Sequence, residues 1–158
     1  MNPEIRRRIE RRSGVLGLLE ALEKLYLRRQ QYNELLAVYR RKVELAGEPD
    51  VRERMFFQMA KLWEEVLGNY EQAIATYKEV LGQDDSNLSA LASLDRLYVQ
   101  QQMWTDLSDN LQRQLVLTQD QGETILLLVR LAALRETKLA EIASAVDRVP
   151  LGCLTLLR

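Results

Sequence analysis

The chain has 158 residues, 47% of them apolar, and a net charge of −1, enough apolar mass for one domain with a continuous core. With no histidine and a single cysteine, Cys153, it lacks the raw material for imidazole catalysis, structural zinc or an intrachain disulfide. Three prolines and seven glycines against an abundance of Leu, Ala, Glu, Gln and Arg make the composition that of an all-helix protein.

Charge is uneven along the chain. Residues 1–42 carry 11 basic and 5 acidic side chains, which leaves the remainder at −7. The first of these cations, Arg6, Arg7, Arg8, Arg11 and Arg12, precede no apolar stretch of signal-peptide length before Glu20, Glu23 and Lys24. No run of about 18 apolar residues occurs anywhere. A cytoplasmic chain, or a fragment of a larger one, is the expectation.

Residues 3–12, with Ile5 and Ile9, read as a lone helix. From Leu16 a helical stripe runs through Leu19, Leu22, Leu25 and Tyr26, closes in the polar stretch Arg28 to Gln31, and is followed by a second stripe through Tyr32, Leu35, Leu36, Tyr39 and Val43. Gly47, Glu48, Pro49 and Asp50 end this first hairpin, expected over about 16–47. The second, over about 51–85, turns Phe56, Met59, Ala60, Leu62 and Trp63 inward from one helix and Tyr70, Ala73, Ile74, Tyr77 and Leu81 from the other, with Gly68 and Asn69 at the turn. Asp84 to Asn87 close it and cap the next helix.

From here the chain repeats itself. A shift of 72 residues lays Leu19, Leu22, Leu25 and Tyr26 on Leu91, Leu94, Leu97 and Tyr98, and Leu35, Ala60 and Ala73 on Leu107, Ala132 and Ala145. Two more hairpins are expected, over about 88–121 and 123–149, and the second and fourth carry one extra residue in the first helix or turn. Under the same shift Ile5 and Ile9 fall on Tyr77 and Leu81, so residues 3–12 correspond to the second helix of a hairpin that lacks its first. Pro150 stops the last helix, and residues 150–158 form an apolar tail that departs from the repeat.

The run G-N-Y-E-Q-A-I-A-T-Y-K-E-V-L-G-Q-D-D-S-N within Arg54 to Asn87 resembles a tetratricopeptide repeat. Met59 with Ala60 stands at the large-then-small pair of the first helix, Gly68 at the turn and Ala73 at the helix crossing. Tyr77 takes the aromatic position, and Asp84 with Asp85 the closing one. Leu35 and Leu107 replace Ala at two crossings, Ala140 replaces Gly at one turn, and Asp85 replaces the usual Pro. The resemblance implies a right-handed α-solenoid of antiparallel helix hairpins, a single domain over 1–158, and a non-enzymatic scaffold that binds a peptide or partner segment on its concave face.

Projecting the helix period places Glu20, Lys24 and Arg28, then Arg54, Phe57, Lys61 and Glu64, then Ala92, Arg96 and Val99, then Val129, Ala133 and Glu136 on that face. Lys24, Arg28, Arg54, Phe57, Lys61 and Arg96 are the candidate contacts, and their charge favours an acidic partner. The carboxylate clamp known in the family is not reproduced: Glu20, Ser89 and Ser93 occupy its cationic positions. The Arg6 to Arg12 cluster has no interleaved aromatic residue and is broken by Glu10, which argues against nucleic acid and membrane. Trp63 and Trp104 read as packing residues. No catalytic constellation emerges from Glu64, Glu65, Asp106, Asp109 or Glu136, Cys153 has no base beside it, and Gly14 and Gly17 are too isolated for a phosphate loop. No cofactor is expected. Two other readings stand beside the scaffold: an architectural segment that self-associates into a homodimer through its chain ends, and a regulatory domain of a larger protein.

Overall fold

The computed structural model describes residues 3–140, with side chains from residue 14 onward except that of Leu139. The fourth hairpin is thus described only through Ala140. The tail expected over 150–158, Cys153, both chain ends as dimer contacts and the side chains of the Arg6 to Arg12 cluster lie outside the described residues.

Among the described residues there are seven α-helices and no strand: α1 Pro3–Arg29, α2 Tyr32–Leu45, α3 Pro49–Lys61, α4 Tyr70–Gln83, α5 Leu88–Gln100, α6 Trp104–Leu117 and α7 Gln121–Leu134. They are distributed over two compact units that divide after Asp85. In the first, α1 packs on α2, α2 on α3 and α3 on α4; in the second, α5 packs on α6 and α6 on α7. This is an all-α repeat of antiparallel hairpins.

The lone helix expected over 3–12 does not stop there but continues as one helix to Arg29. Gly14 and Gly17 each weaken a helix by only about 1 kcal/mol relative to alanine, and both retain the amide that proline would remove. No proline lies between Pro3 and Pro49 to force a break. The second hairpin likewise opens at Pro49 rather than Val51, because the fixed φ of proline suits the first helical position.

Three hairpin turns use one device. Gln30 and Gln102 adopt left-handed backbone conformations, φ 55° and 57°, as does Gly68 at φ 63°. At the first turn the Gln31 amide donates to the Tyr26 carbonyl (3.0 Å) and the Gln30 amide to that of Leu27 (3.2 Å). The same pair recurs 72 residues on, from Met103 to Tyr98 (2.9 Å) and from Gln102 to Val99 (3.2 Å). These reverse bonds satisfy carbonyls that the ending helix leaves without partners. The next helices are capped where Asn69, Asn87 and Asp120 accept from the amides of Gln72, Ala90 and Glu123 at 3.1, 2.9 and 2.7 Å.

The extra residue of the second and fourth hairpins is absorbed as a π-helical turn, Leu62–Val66 after α3 and Arg135–Leu139 after α7. Such a turn takes in one more residue and rotates the residues beyond it by about 100°. Within the first of these turns Glu64, which the helical projection placed on the concave face, is buried at 7% exposure. Trp63 is half-buried, and its indole Nε1 is buried without an acceptor among the described residues.

Small side chains occupy the tightest contacts. Ala60, Ala73 and Ala90 are fully buried, which permits close helix approach, while Leu35, Tyr77, Leu91, Leu97 and Leu111 fill the space on either side. Trp104 is half-buried and packs beneath the Lys138 ammonium, 5.9 Å from the ring centroid.

Candidate functional site

In the first unit α2 forms a floor between α1 and α3, and two clefts open along it. One, of about 560 Å³, has Leu16 and Glu20 of α1 on one wall, Arg54, Met55 and Gln58 of α3 on the other, and Lys42 and Leu45 of α2 below. The other, of about 200 Å³, lies between Leu27 of α1 and Gln58, Lys61 and Leu62, with Leu35 and Tyr39 beneath. Gln58 belongs to both, so they form one groove with apolar stretches at Leu16, Leu27, Met55 and Val66.

A polar knot holds the middle of the floor. Glu23 accepts hydrogen bonds from the Tyr39 hydroxyl (3.3 Å) and from the Lys42 ammonium. The Tyr39 hydroxyl is pushed up to about 12, first by burial, then by the negative charge of Glu23 and the bond to it. It therefore stays neutral and donating at any physiological pH. The knot ties α1 to α2 and offers no poised acid or base.

The sequence-derived candidates fall into two sets. Arg54 and Lys61 are exposed and line the groove, Arg54 with its Nε donating to the Asp50 carbonyl (3.3 Å). Lys24 and Arg28 are exposed on α1, one and two turns beyond Glu20. The ring of Phe57 is half-buried and leans edge-on against Tyr77 of α4, centroids 5.5 Å apart at 67°. Part of its surface is thereby used to seat α3 on α4. Arg96 is exposed on α5 and belongs to the second unit.

Sequence reasoning missed the residue beside it. Asp95 of α5 receives both terminal nitrogens of Arg130 from α7, at 2.8 and 2.9 Å, in a bidentate bridge. The hydrogen bonds to Asp95 raise the Arg130 guanidinium above its ordinary value, against the opposing effect of burial. Asp95 and Arg130 stand 72 residues after Glu23 and Gln58. The repeat could have signalled this pair, since an acid recurs at the first position while Gln is replaced by a bidentate donor at the second.

A further cleft, of about 520 Å³, lies on another side of α2, between Asn33, Ala37, Arg40 and Glu44 and the Trp63 ring. Among the described residues no cluster of His, Cys, Asp and Glu could hold a metal ion, and no helix is long and apolar enough to cross a membrane.

Residues 18–53 match the family model of the tetratricopeptide repeat. The match covers the later part of α1, all of α2 and the start of α3, hence the first hairpin, whereas the resemblance read from the sequence was strongest in the second. No curated protein matches the chain. Tetratricopeptide repeats generally mediate protein–protein interaction and are generally non-catalytic. Residues 18–53 are thus similar to a tetratricopeptide repeat, and the other described helices repeat the same all-α hairpin form.

Proposed function

We propose that the chain is a non-enzymatic scaffold and that the groove between α1 and α3 receives a segment of a partner protein. The observation that carries this reading is the pair of clefts sharing Gln58, with apolar walls and the cations Arg54 and Lys61 along the α3 side. A segment with apolar side chains spaced to enter the two clefts would bury them, and carboxylates next to them would meet Arg54 and Lys61, with Lys24 and Arg28 on the opposite helix. Glu20 and Glu65 along the same groove limit how much negative charge it tolerates, so the ligand carries a few acidic residues rather than a polyanionic run. All four cations are exposed, and binding accordingly weakens with salt.

The test is selection of peptides from a random display library on the full chain, followed by titration of the winners against Arg54→Glu/Lys61→Glu. The selected peptides should combine acidic and apolar residues and lose about tenfold or more in affinity for the variant, about 1.4 kcal/mol. Winners without acidic residues, or winners that bind the variant undiminished, would overturn the reading.

A further inference from the structure

α1 leaves one flank uncovered. Glu23, bonded to Tyr39 and Lys42, marks the side that faces α2, and Leu16 and Leu27 border the clefts toward α3. By helical phase Leu18 and Leu25, seven residues apart, fall on the opposite flank, with Val15 and Leu22 beside them. Leu18 is 61% exposed and Leu25 39%, Val15 is exposed as well, and Leu22 is half-buried. Two apolar pairs at heptad spacing have the pattern of a helix–helix seam. The 72-residue shift lays Leu18, Leu22 and Leu25 on Ala90, Leu94 and Leu97, each at 1% exposure or less. Within the first unit, Leu62 stands 37 residues after Leu25, as Phe56 and Met59 do after Leu19 and Leu22. Leu62 is buried beside Leu35 and Tyr39 of α2. There the second helix of the preceding hairpin covers the position that α1 leaves open.

A segment with the register of that covering helix is present in the chain. Ile5 and Ile9 fall on Tyr77 and Leu81 of α4, and Tyr77 stands seven residues after the first residue of its helix, as Tyr39 does in α2. The structure nevertheless runs residues 3–12 straight on into α1. The cause lies at the missing turn. Asp84, Asp85, Ser86 and Asn87, which end α4 and begin α5, correspond to Arg12, Ser13, Gly14 and Val15. Asp84 has an extended backbone, and the Asn87 side chain accepts from the Ala90 amide at 2.9 Å. Val15 has no acceptor with which to cap a new helix, so a break there would leave amides without partners, and the helix continues. Ile5 and Leu25 are then 20 residues apart on one helix, about 30 Å, and residues 3–12 cannot reach the flank of their own α1.

We infer that the flank of α1 at Val15, Leu18, Leu22 and Leu25 is covered by residues 3–12 of a second copy of this chain, in an exchanged dimer. Each copy gives one segment and receives one, so the contact is two-fold symmetric and closes on itself. The two α1 helices run antiparallel. In the register by which Tyr39 lies at Leu62, Ile5 of one copy meets Leu25 of the other, and Ile9, one turn on, meets Leu18 and Leu22. Ser13 and Gly14 fall where the two helices cross, and side chains this small let the backbones approach closely. The dimer uses the side of α1 away from the groove toward α3 and does not depend on that groove.

The test is light scattering coupled to size exclusion on the full chain, with a dimer expected at micromolar concentration. Leu18→Glu/Leu25→Glu should weaken dimerisation about tenfold or more. Both changes lie at exposed positions, and cooperative thermal unfolding checks that the variant folds. Ser13→Pro should have the same effect by another route, because proline inside a helix removes an amide donor and breaks α1 there, which lets residues 3–12 fold back on their own copy. Arg54→Glu/Lys61→Glu should dimerise like the parent chain. In Ile5→Cys/Leu25→Cys on a Cys153→Ser background, a short bismaleimide should link two copies, since the two thiols of one copy are too far apart to be bridged. The inference is overturned if the parent chain is a monomer, or if its dimer survives either Leu18→Glu/Leu25→Glu or Ser13→Pro. It is also overturned if Arg54→Glu/Lys61→Glu dissolves the dimer, which would place the contact in the groove. The same holds if the cross-link forms within a single copy, which would make the chain's own segment the occupant.

Discussion

The bridge between Asp95 and Arg130 lends itself to a double-mutant cycle. Its two hydrogen bonds, 2.8 and 2.9 Å, are short and charge-assisted, and Asp95 is mostly buried while Arg130 is 39% exposed. Exposed ion pairs contribute about 0.2–1 kcal/mol, and single hydrogen bonds to charged groups about 1.5–3 kcal/mol. A half-exposed bidentate pair falls between, so Arg130→Gln should cost about 1–2 kcal/mol, chiefly because it strands a carboxylate that solvent barely reaches. Asp95→Asn leaves an exposed guanidinium that water can rescue and should cost less, about 0.5–1 kcal/mol. The double variant should cost less than the two singles together, with a coupling of about 1 kcal/mol. Urea unfolding of the four chains measures it, with the slope required to stay constant so that midpoints report stability. Part of the coupling should vanish at high salt. Additivity within about 0.3 kcal/mol would refute the reasoning.

Two further outcomes concern the first unit and the turns. Tyr39, held near 12 in the fold against about 10 in the unfolded chain, binds its proton more tightly when folded. Its stabilising contribution is complete below pH 10 and lost as pH rises from 10 through 12, so urea stability should fall over that window by up to about 2 kcal/mol. Tyr39→Phe should remove this part of the slope, and an unchanged slope would count against the Glu23 knot. At the turns, Gln30→Gly and Gln102→Gly should each raise stability by about 0.5–1 kcal/mol, the left-handed strain relieved less the added freedom of the unfolded chain. Gly68→Ala should lower it by a similar amount, since an added Cβ meets nothing within 4 Å and only backbone strain acts. Thermal unfolding in which the three changes have one common sign would contradict the shared turn geometry.

Much of the architecture was legible in the order of residues. Helix positions follow from apolar side chains recurring every three or four residues, and the hairpin ends from Gly68, Asn69 and Asn87. The 72-residue repeat implied that turns at Gln30 and Gln102 would match, as their hydrogen bonds do. The extra residue in the second and fourth hairpins was visible too, though not its form. A surplus residue can enlarge a loop or widen a helix; here it widens the helix into a π turn, within which Glu64 is buried and Trp63 borders a cleft beside α2.

The candidate site was legible only in outline. Exposure of Lys24, Arg28, Arg54, Lys61 and Arg96 follows from helical phase, and periodicity alone suffices for that. What periodicity lacks is any account of which side chain a neighbour uses. Phe57 is a free anchor in a helical projection, yet Tyr77 from the next helix claims one side of its ring. Gln58 and Arg130 hold one position in the repeat, yet one lines an open groove and the other closes on Asp95. Local patterns are settled within a turn or two of helix and can be read from sequence. Contacts between helices that are not consecutive depend on side-chain reach and burial at the place where they meet, and only the tertiary structure decides them.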